Sequence, residues 1–310
     1  MAGGSDTRSP PSGIPTPDIS ASGSSSGFRL ACVQVNSGNE IAPNVEIAAG
    51  LIREAAGQGA DFISLPECVA LLEPDRDALF RKSAFRKSAA ETDHPALHAF
   101  KDLARELGVW IHVGSLAVLS ADGRIANRTF LINPAGDVTA KYDKIHMFDV
   151  DLANGESYRE SHTYQPGSQA VIADLPWGCA GLTICYDVRF PALYSHLAEA
   201  GAQFIGVPSA FTRKTGRVHW HVLLQARAIE TGCWIFAAAQ CGDHAAGRQT
   251  YGHSLIVDPW GEIIAEAGEE PGIIIADIDP ARVAEARRAV PSLTNGRPYR
   301  PAGDVKRAAE

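Results

Sequence analysis

Three short stretches hold residues that could do chemistry. The first is G-L-T-I-C-Y-D-V-R-F-P (181–191), an apolar run that stops on Cys185 and turns polar at once. A strand that ends and turns into a helix leaves backbone N–H groups pointing outward, near the positive end of the helix dipole. A thiol placed there is drawn toward thiolate, and the N–H of Tyr186 could hold an oxyanion. Cys185 could equally be a small apolar residue filling a strand end. The second stretch is S-L-P-E, where Glu67 closes an apolar run. A carboxylate there is either a proton acceptor or a solvated turn residue or helix cap. The third is K-Y-D-K-I-H-M-F-D-V-D (141–151), in which Lys144 sits among apolar neighbours. Such a lysine either snorkels to the surface or supplies a fixed positive charge. Each residue alone has an ordinary structural reading; together, thiol, acid and cation suit nucleophilic catalysis.

The elements that would position them alternate from residue 28 onward. Residues 28–35, 60–67, 109–115, 128–134 and 138–145 read as strands, with helices over 44–59 and 97–108, the second closed by Gly108. A polar loop spans 151–169. Strands at 170–176 and 180–187 follow, then a helix opening on Pro191, which suits a first turn. After a strand at 203–211, a helix begins near Val218 with Val222, Leu223, Ala226 and Ile229 on its apolar stripe. Four further strands fill the C-terminal third, two of them joined by a D-P-W-G-E hairpin, and a short helix ends the pattern. Residues 54–67 echo 197–209, and 30–35 echo 182–187, as two related β-α-β units would. On that arrangement Glu67 and Cys185 both lie at carboxyl ends of strands, where α/β proteins build sites.

The 310 residues, 45% hydrophobic and 21% charged, can bury a large core. One domain is expected over 28–290, after a Gly/Ser/Pro-rich tail (1–27) read as disordered and before a C-terminal extension (291–310). A net charge of −8 without a basic tract argues against nucleic acid and anionic membrane as partners. No apolar run reaches the roughly 18 residues of a membrane span. The tail lacks the apolar centre of a signal peptide, so a cytoplasmic location is expected. Six cysteines without a C-x-x-C pair do not form a secreted disulfide framework, and no H-E-x-x-H occurs. The nearest thing to a ligand pair is H-W-H (219–221), whose two histidines diverge on a helix; no metal is expected.

The three stretches, in this order and at this spacing, resemble the signatures of the nitrilase superfamily of carbon–nitrogen hydrolases, over residues 28 to about 290. The resemblance implies a four-layer αββα sandwich that assembles as a homodimer or higher homo-oligomer. It also implies a catalytic set of Glu67 as general base and acid, Lys144 as oxyanion stabiliser and Cys185 as nucleophile, with no cofactor. Glu160, in S-Y-R-E-S-H-T, otherwise a loop charge, matches the family's assisting glutamate. Tyr186, Arg189, Phe148, His219 and Ser209 are expected at the substrate. A partly desolvated Glu67 should have a raised pKa. A lysine about 4 Å from the sulfur would favour thiolate by about 4 kcal/mol at an effective dielectric near 20. Burial and the glutamate's charge offset much of that, so a thiol poised near neutral pH is expected.

Residues 209–244 and 251–262 look most like the Nit branch, which contains ω-amidases and deaminated-glutathione amidases. The implied reaction is hydrolysis of a small carboxamide through a cysteine thioester. A carboxylate on the substrate would need a cation, for which Arg189, Arg213 and Lys214 are candidates. One departure stands out: the branch typically reads His-Trp-Glu where this chain has His219-Trp220-His221. An imidazole in place of an acid there could alter recognition. The segment 71–93, with Arg81, Lys82, Arg86 and Lys87, reads as an insertion bordering the site. Competing readings are a nitrilase, an N-carbamoyl amino-acid hydrolase, a catalytically silent binding subunit and a thiol peroxidase. Cys179 is poorly placed as the resolving thiol that the last requires.

Overall fold

The protein is seen in a computed structural model that describes residues 27–73, 76–81, 93–119, 124–151, 155 and 157–298. The first half runs β1 (Phe28–Gln34), α1 (Ile41–Gly57), β2 (Phe62–Ser64), α2 (Arg76–Arg81), α3 (Pro95–Leu107), β3 (Trp110–Leu119), β4 (Ile125–Ile132) and β5 (Val138–Asp143). An excursion of three short strands follows, β6 (Asp149–Asp151), β7 (Ser157–Arg159) and β8 (Tyr164–Gln165). The second half opens with β9 (Val171–Leu175), β10 (Gly178–Leu182), α4 (Pro191–Glu199), β11 (Ala202–Gly206), α5 (Arg213–Thr231) and β12 (Trp234–Ala237). It closes with β13 (Cys241–Asp243), β14 (Gln249–Tyr251), β15 (Leu255–Val257), β16 (Ile263–Glu266), β17 (Gly272–Ile278) and α6 (Ala281–Ala289).

Two sheets result. One is ordered β17-β1-β2-β3-β4-β5, with β8 beside β4; the other is β16-β15-β12-β11-β10-β9. In each, three consecutive strands are parallel, β1-β2-β3 and β10-β11-β12, and antiparallel strands flank them. The sequence echo is thus a repeated topology, β1-α1-β2 answering β10-α4-β11. β17 comes from the far end of the chain to pair with β1 along seven residues.

Central strands read as unbroken apolar runs because both their faces are buried. Successive residues of β1 alternate: Phe28, Leu30 and Cys32 point into the layer between the sheets, Ala31 and Val33 toward the helices. β12 repeats this, with Trp234 and Phe236 inward and Ile235 and Ala237 outward. Between the sheets Phe28 meets Phe204 edge-on at 5.3 Å and Phe62 meets Phe236 at 5.4 Å, a geometry aromatic quadrupoles favour. α1 and α3 cover one outer face, α4 and α5 the other. The architecture is the four-layer αββα sandwich. Gly108 ends α3 in the left-handed conformation, as its type suggests.

Several expectations need correction. α5 buries Trp220, Leu224, Ala228 and Thr231, not the expected stripe; Val222 and Ile229 are exposed. Arg227 misleads here. It lies on the inner face, where its guanidinium is satisfied by the Val188 carbonyl at 2.8 Å and by Glu230 at 2.7 Å. The 151–169 stretch is not a plain loop: β7 within it pairs antiparallel with β6, which ends on its first residue, and β8 joins the first sheet. Most of 71–93, nearly all of the N-terminal tail and residues 299–310 lie outside the described residues. Within 71–93, Leu79 of α2 is buried.

Candidate active site

Cys185 follows the end of β10 and has φ +48°, left-handed for a non-glycine residue. Strain of this kind persists only where the surroundings over-determine it. They do so here. Its N–H donates to the Pro208 carbonyl at 2.9 Å, and the preceding Ile184 N–H donates to Asp187 at 2.9 Å. The buried Asp187 carboxylate also accepts the Tyr142 hydroxyl and the His146 N–H. The turn carrying the thiol and the segment carrying Lys144 are therefore fastened to one side chain.

Glu67 is fixed at the end of β2. Its carbonyl accepts from Gln240 at 3.0 Å, and the next residue, Cys68 at φ +57°, donates its N–H to Ser115. Gly114 of β3 permits the approach: a Cβ there would lie 2.1 Å from the Leu65 and Pro66 carbonyl oxygens. The Glu67 carboxylate accepts from Lys144 Nζ at 2.9 Å, Asn127 at 2.9 Å and the Ala210 N–H at 2.9 Å. Lys144 Nζ also meets both Glu160 oxygens at 2.8 Å, and Glu160 is held by the Phe148 N–H at 2.7 Å. Asn127 donates to both carboxylates. One ammonium thus bridges two acids at a site where Glu67 and Lys144 are almost wholly buried.

Electrostatics correct the expected protonation states. Burial pushes Glu67 up, yet the Lys144 charge and hydrogen bond, with help from Cys185 and Arg248, outweigh it and leave Glu67 below its ordinary value. Burial would lower Lys144, but Glu160 and then Glu67 hold it well above its ordinary value, so it stays an ammonium. Burial and the Glu67 charge raise the Cys185 thiol, against Lys144 and the Ala210 N–H. The resting site is a neutral thiol hydrogen-bonded to a carboxylate, not the half-ionised thiol expected. This arrangement suits proton transfer to Glu67 as sulfur attacks.

Glu67, Lys144, Glu160 and Cys185 border a cavity of about 270 Å³, and Phe148 and Tyr186 form part of its wall. The other expected substrate residues do not line it. Ser209 is fully buried and turns its hydroxyl to the Val207 carbonyl. His219 is exposed on α5 beside Arg189. Arg189 itself lies behind the wall, over the rings of Tyr186 and Phe211. Arg213 pairs with Asp243. His221 bonds Glu266, away from the cavity. Arg248, which nothing in its Gly-rich stretch singles out, does line the cavity. One of its amino groups donates to the Ala210 carbonyl at 2.9 Å, while its buried Nε has no partner among the described residues.

The family model for carbon–nitrogen hydrolases matches residues 29–288. The chain belongs to this family. Curated relatives of this hydrolase include a deaminated glutathione amidase of Synechocystis, 40% identical over 86% of this chain and 97% of the relative. The human protein of that name is 39% identical over 87% and 82%. A bovine omega-amidase is 34% identical over 87% and 95%. Among solved structures, the NitFhit protein of C. elegans has TM-score 0.81 at 34% identity; the hydrolase covers 65% of it with 87% of its own chain. Nit3 of Saccharomyces cerevisiae has TM-score 0.76 at 31% identity over 86% and 94%. The hydrolase therefore acts on carbon–nitrogen bonds other than peptide bonds, within the nitrilase superfamily.

Proposed function

We propose that the protein is an amidase for a small carboxamide that also bears a carboxylate, either deaminated glutathione or an ω-amide of an α-keto acid. The observation that carries this reading is Arg248. Its guanidinium belongs to the cavity lining and is a ready partner for a carboxylate there, and relatives near 40% identity are named deaminated glutathione amidase.

In the proposed reaction Cys185 Sγ attacks the amide carbon and its proton passes to Glu67. Lys144 and the Tyr186 N–H hold the tetrahedral oxyanion. Glu67 returns the proton to the departing nitrogen, and the amine or ammonia leaves a thioester on Cys185. Water, deprotonated by Glu67, releases the acid and restores the thiol. Glu160 fixes Lys144 rather than touching substrate.

A panel of deaminated glutathione, α-ketoglutaramate, an aliphatic nitrile and an N-carbamoyl amino acid tests the assignment by release of amine or ammonia. Turnover of the first two at higher kcat/KM than the others is expected. Preference for the nitrile or carbamoyl compound overturns the substrate class. No turnover, with Cys185 unreactive toward iodoacetamide, makes the chain a silent subunit.

The assembly belongs to the same proposal. Val218, Val222 and Ile229 on α5, with Trp260 near Ile229, expose an apolar surface that a second copy would cover. Sedimentation as a dimer is expected, and Val222→Lys should shift it toward monomer. Six free cysteines fit a reducing, cytoplasmic compartment.

A further inference from the structure

The exchange at His221 acquires a meaning away from the cavity. His221 Nε2 lies 3.0 Å from Glu266 Oε1, and His253 Nδ1 lies 2.9 Å from the same oxygen. The three donor atoms all fall within 4.8 Å of one another. They come from α5, from the turn before β15 and from the end of β16, and these elements are tied together. The Trp220 indole donates to the His253 carbonyl at 2.7 Å, and the His253 N–H donates to the Gly268 carbonyl at 3.0 Å. His253 itself has φ +56°, and its ring stacks on Tyr251 at 4.3 Å, with His221 edge-on to the same ring at 6.0 Å. The side chains are partly open to solvent, at 28%, 21% and 37%, so an ion could enter without unfolding the site.

We propose that His221, His253 and Glu266 form a binding site for a divalent transition metal, Zn²⁺ first among them. Two imidazoles and a carboxylate are a set zinc accepts, with a fourth position left to water. Zinc–ligand bonds of about 2.0–2.2 Å in a tetrahedron separate the ligand atoms by roughly 3.3 Å. The two His–Glu contacts would have to open by only a few tenths of an ångström. Each imidazole can carry a hydrogen on its other ring nitrogen and turn a lone pair toward the metal through the nitrogen that now meets Glu266. His219, two residues away, bonds Arg189 and takes no part. A metal here would brace α5, whose first turn lends Thr215 to the cavity wall, against the edge strand β16. The site is independent of the amidase reading and of the reaction.

The test uses the full chain stripped of metal by a chelator and titrated with Zn²⁺ calorimetrically. One equivalent should bind, with a rise of a few degrees in melting temperature. His221→Ala and Glu266→Gln should each weaken binding by about tenfold or more, whereas His219→Ala should not. Co²⁺ in place of Zn²⁺ should give visible ligand-field bands without thiolate charge transfer. Binding left intact in both variants, no binding up to millimolar Zn²⁺, or a thiolate band would overturn the proposal. Because the two variants alter different elements, failure of one to fold leaves the other decisive.

Discussion

The Asp187 carboxylate, wholly sealed from solvent, accepts the Tyr142 hydroxyl at 2.7 Å. Through that contact the residue two places before Lys144 is joined to the residue two places after Cys185. Asp187 also accepts the Ile184 and His146 N–H groups. An amide in its place would turn an NH₂ toward one of these donors. Asp187→Asn should therefore lower kcat by about tenfold or more, with KM changing less, and destabilise the protein by about 1–3 kcal/mol. Tyr142→Phe should do less of both. Steady-state kinetics and thermal unfolding read the two effects.

Removing the nucleophile separates chemistry from folding. Cys185→Ala should abolish thioester formation in an intact-mass experiment and reduce turnover by about a thousandfold or more. Its melting temperature should stay near that of the wild type, since the change removes one small buried atom. Persistent turnover in this variant would remove the proposed mechanism.

The pH dependence follows from the coupled charges. Glu67 must be ionised to take the thiol proton, and its pKa lies below the ordinary 4.5. The acid limb of kcat/KM should accordingly fall below that value. The same depressed pKa means that its share of stability is present above the unfolded value and is lost as pH falls through the folded one. Lys144, raised well above 10.5, contributes stability below that value and loses it only as pH rises through its higher folded pKa. Activity and stability should both be level across neutral pH. An acid limb near 6 to 7, measured as kcat/KM against pH, would contradict the assigned resting state.

Arg248→Ala should raise KM about tenfold or more for a carboxylate-bearing amide and leave a neutral amide such as propionamide nearly unaffected, because a charge-assisted hydrogen bond contributes about 1.5–3 kcal/mol. Equal losses on both substrates would give Arg248 a structural role.

Gly114→Ala tests the packing behind the base. Its Cβ would enter the space of the Leu65 and Pro66 carbonyl oxygens at 2.1 Å, and overpacking costs about 1–3 kcal/mol. A lower melting temperature is expected, together with slower alkylation of Cys185 as Glu67 shifts.

Much of this was legible in the sequence. Runs such as 28–35 and 203–211 betrayed strands buried on both faces, and the echo between the halves anticipated the paired sheets. Glu67, Lys144, Glu160 and Cys185 could be named because motif spacing survives in one dimension. What spacing does not encode is distance. The Glu67 pKa was expected high from partial desolvation; the 2.9 Å contact with Lys144 that reverses it exists only in the fold. Arg248 drew no attention in the sequence, and Ser209, expected at the substrate, spends its hydroxyl on its own backbone. α5 misled because its inner face carries Arg227, a charge whose partners lie 39 residues upstream and one turn onward.

The pairing of β17 with β1 has a consequence for the order in which the molecule can be made. β1 leaves the ribosome long before the strand that covers its outer edge, since residues 28–34 pair with residues 272–278. Until then a seven-residue ladder of unsatisfied amides stands open to any passing strand. The acid and the cation are translated well before the sulfur that they serve. During synthesis the edge of β1 therefore stays open until the closing segment arrives, which is the interval in which an unpaired edge invites aggregation.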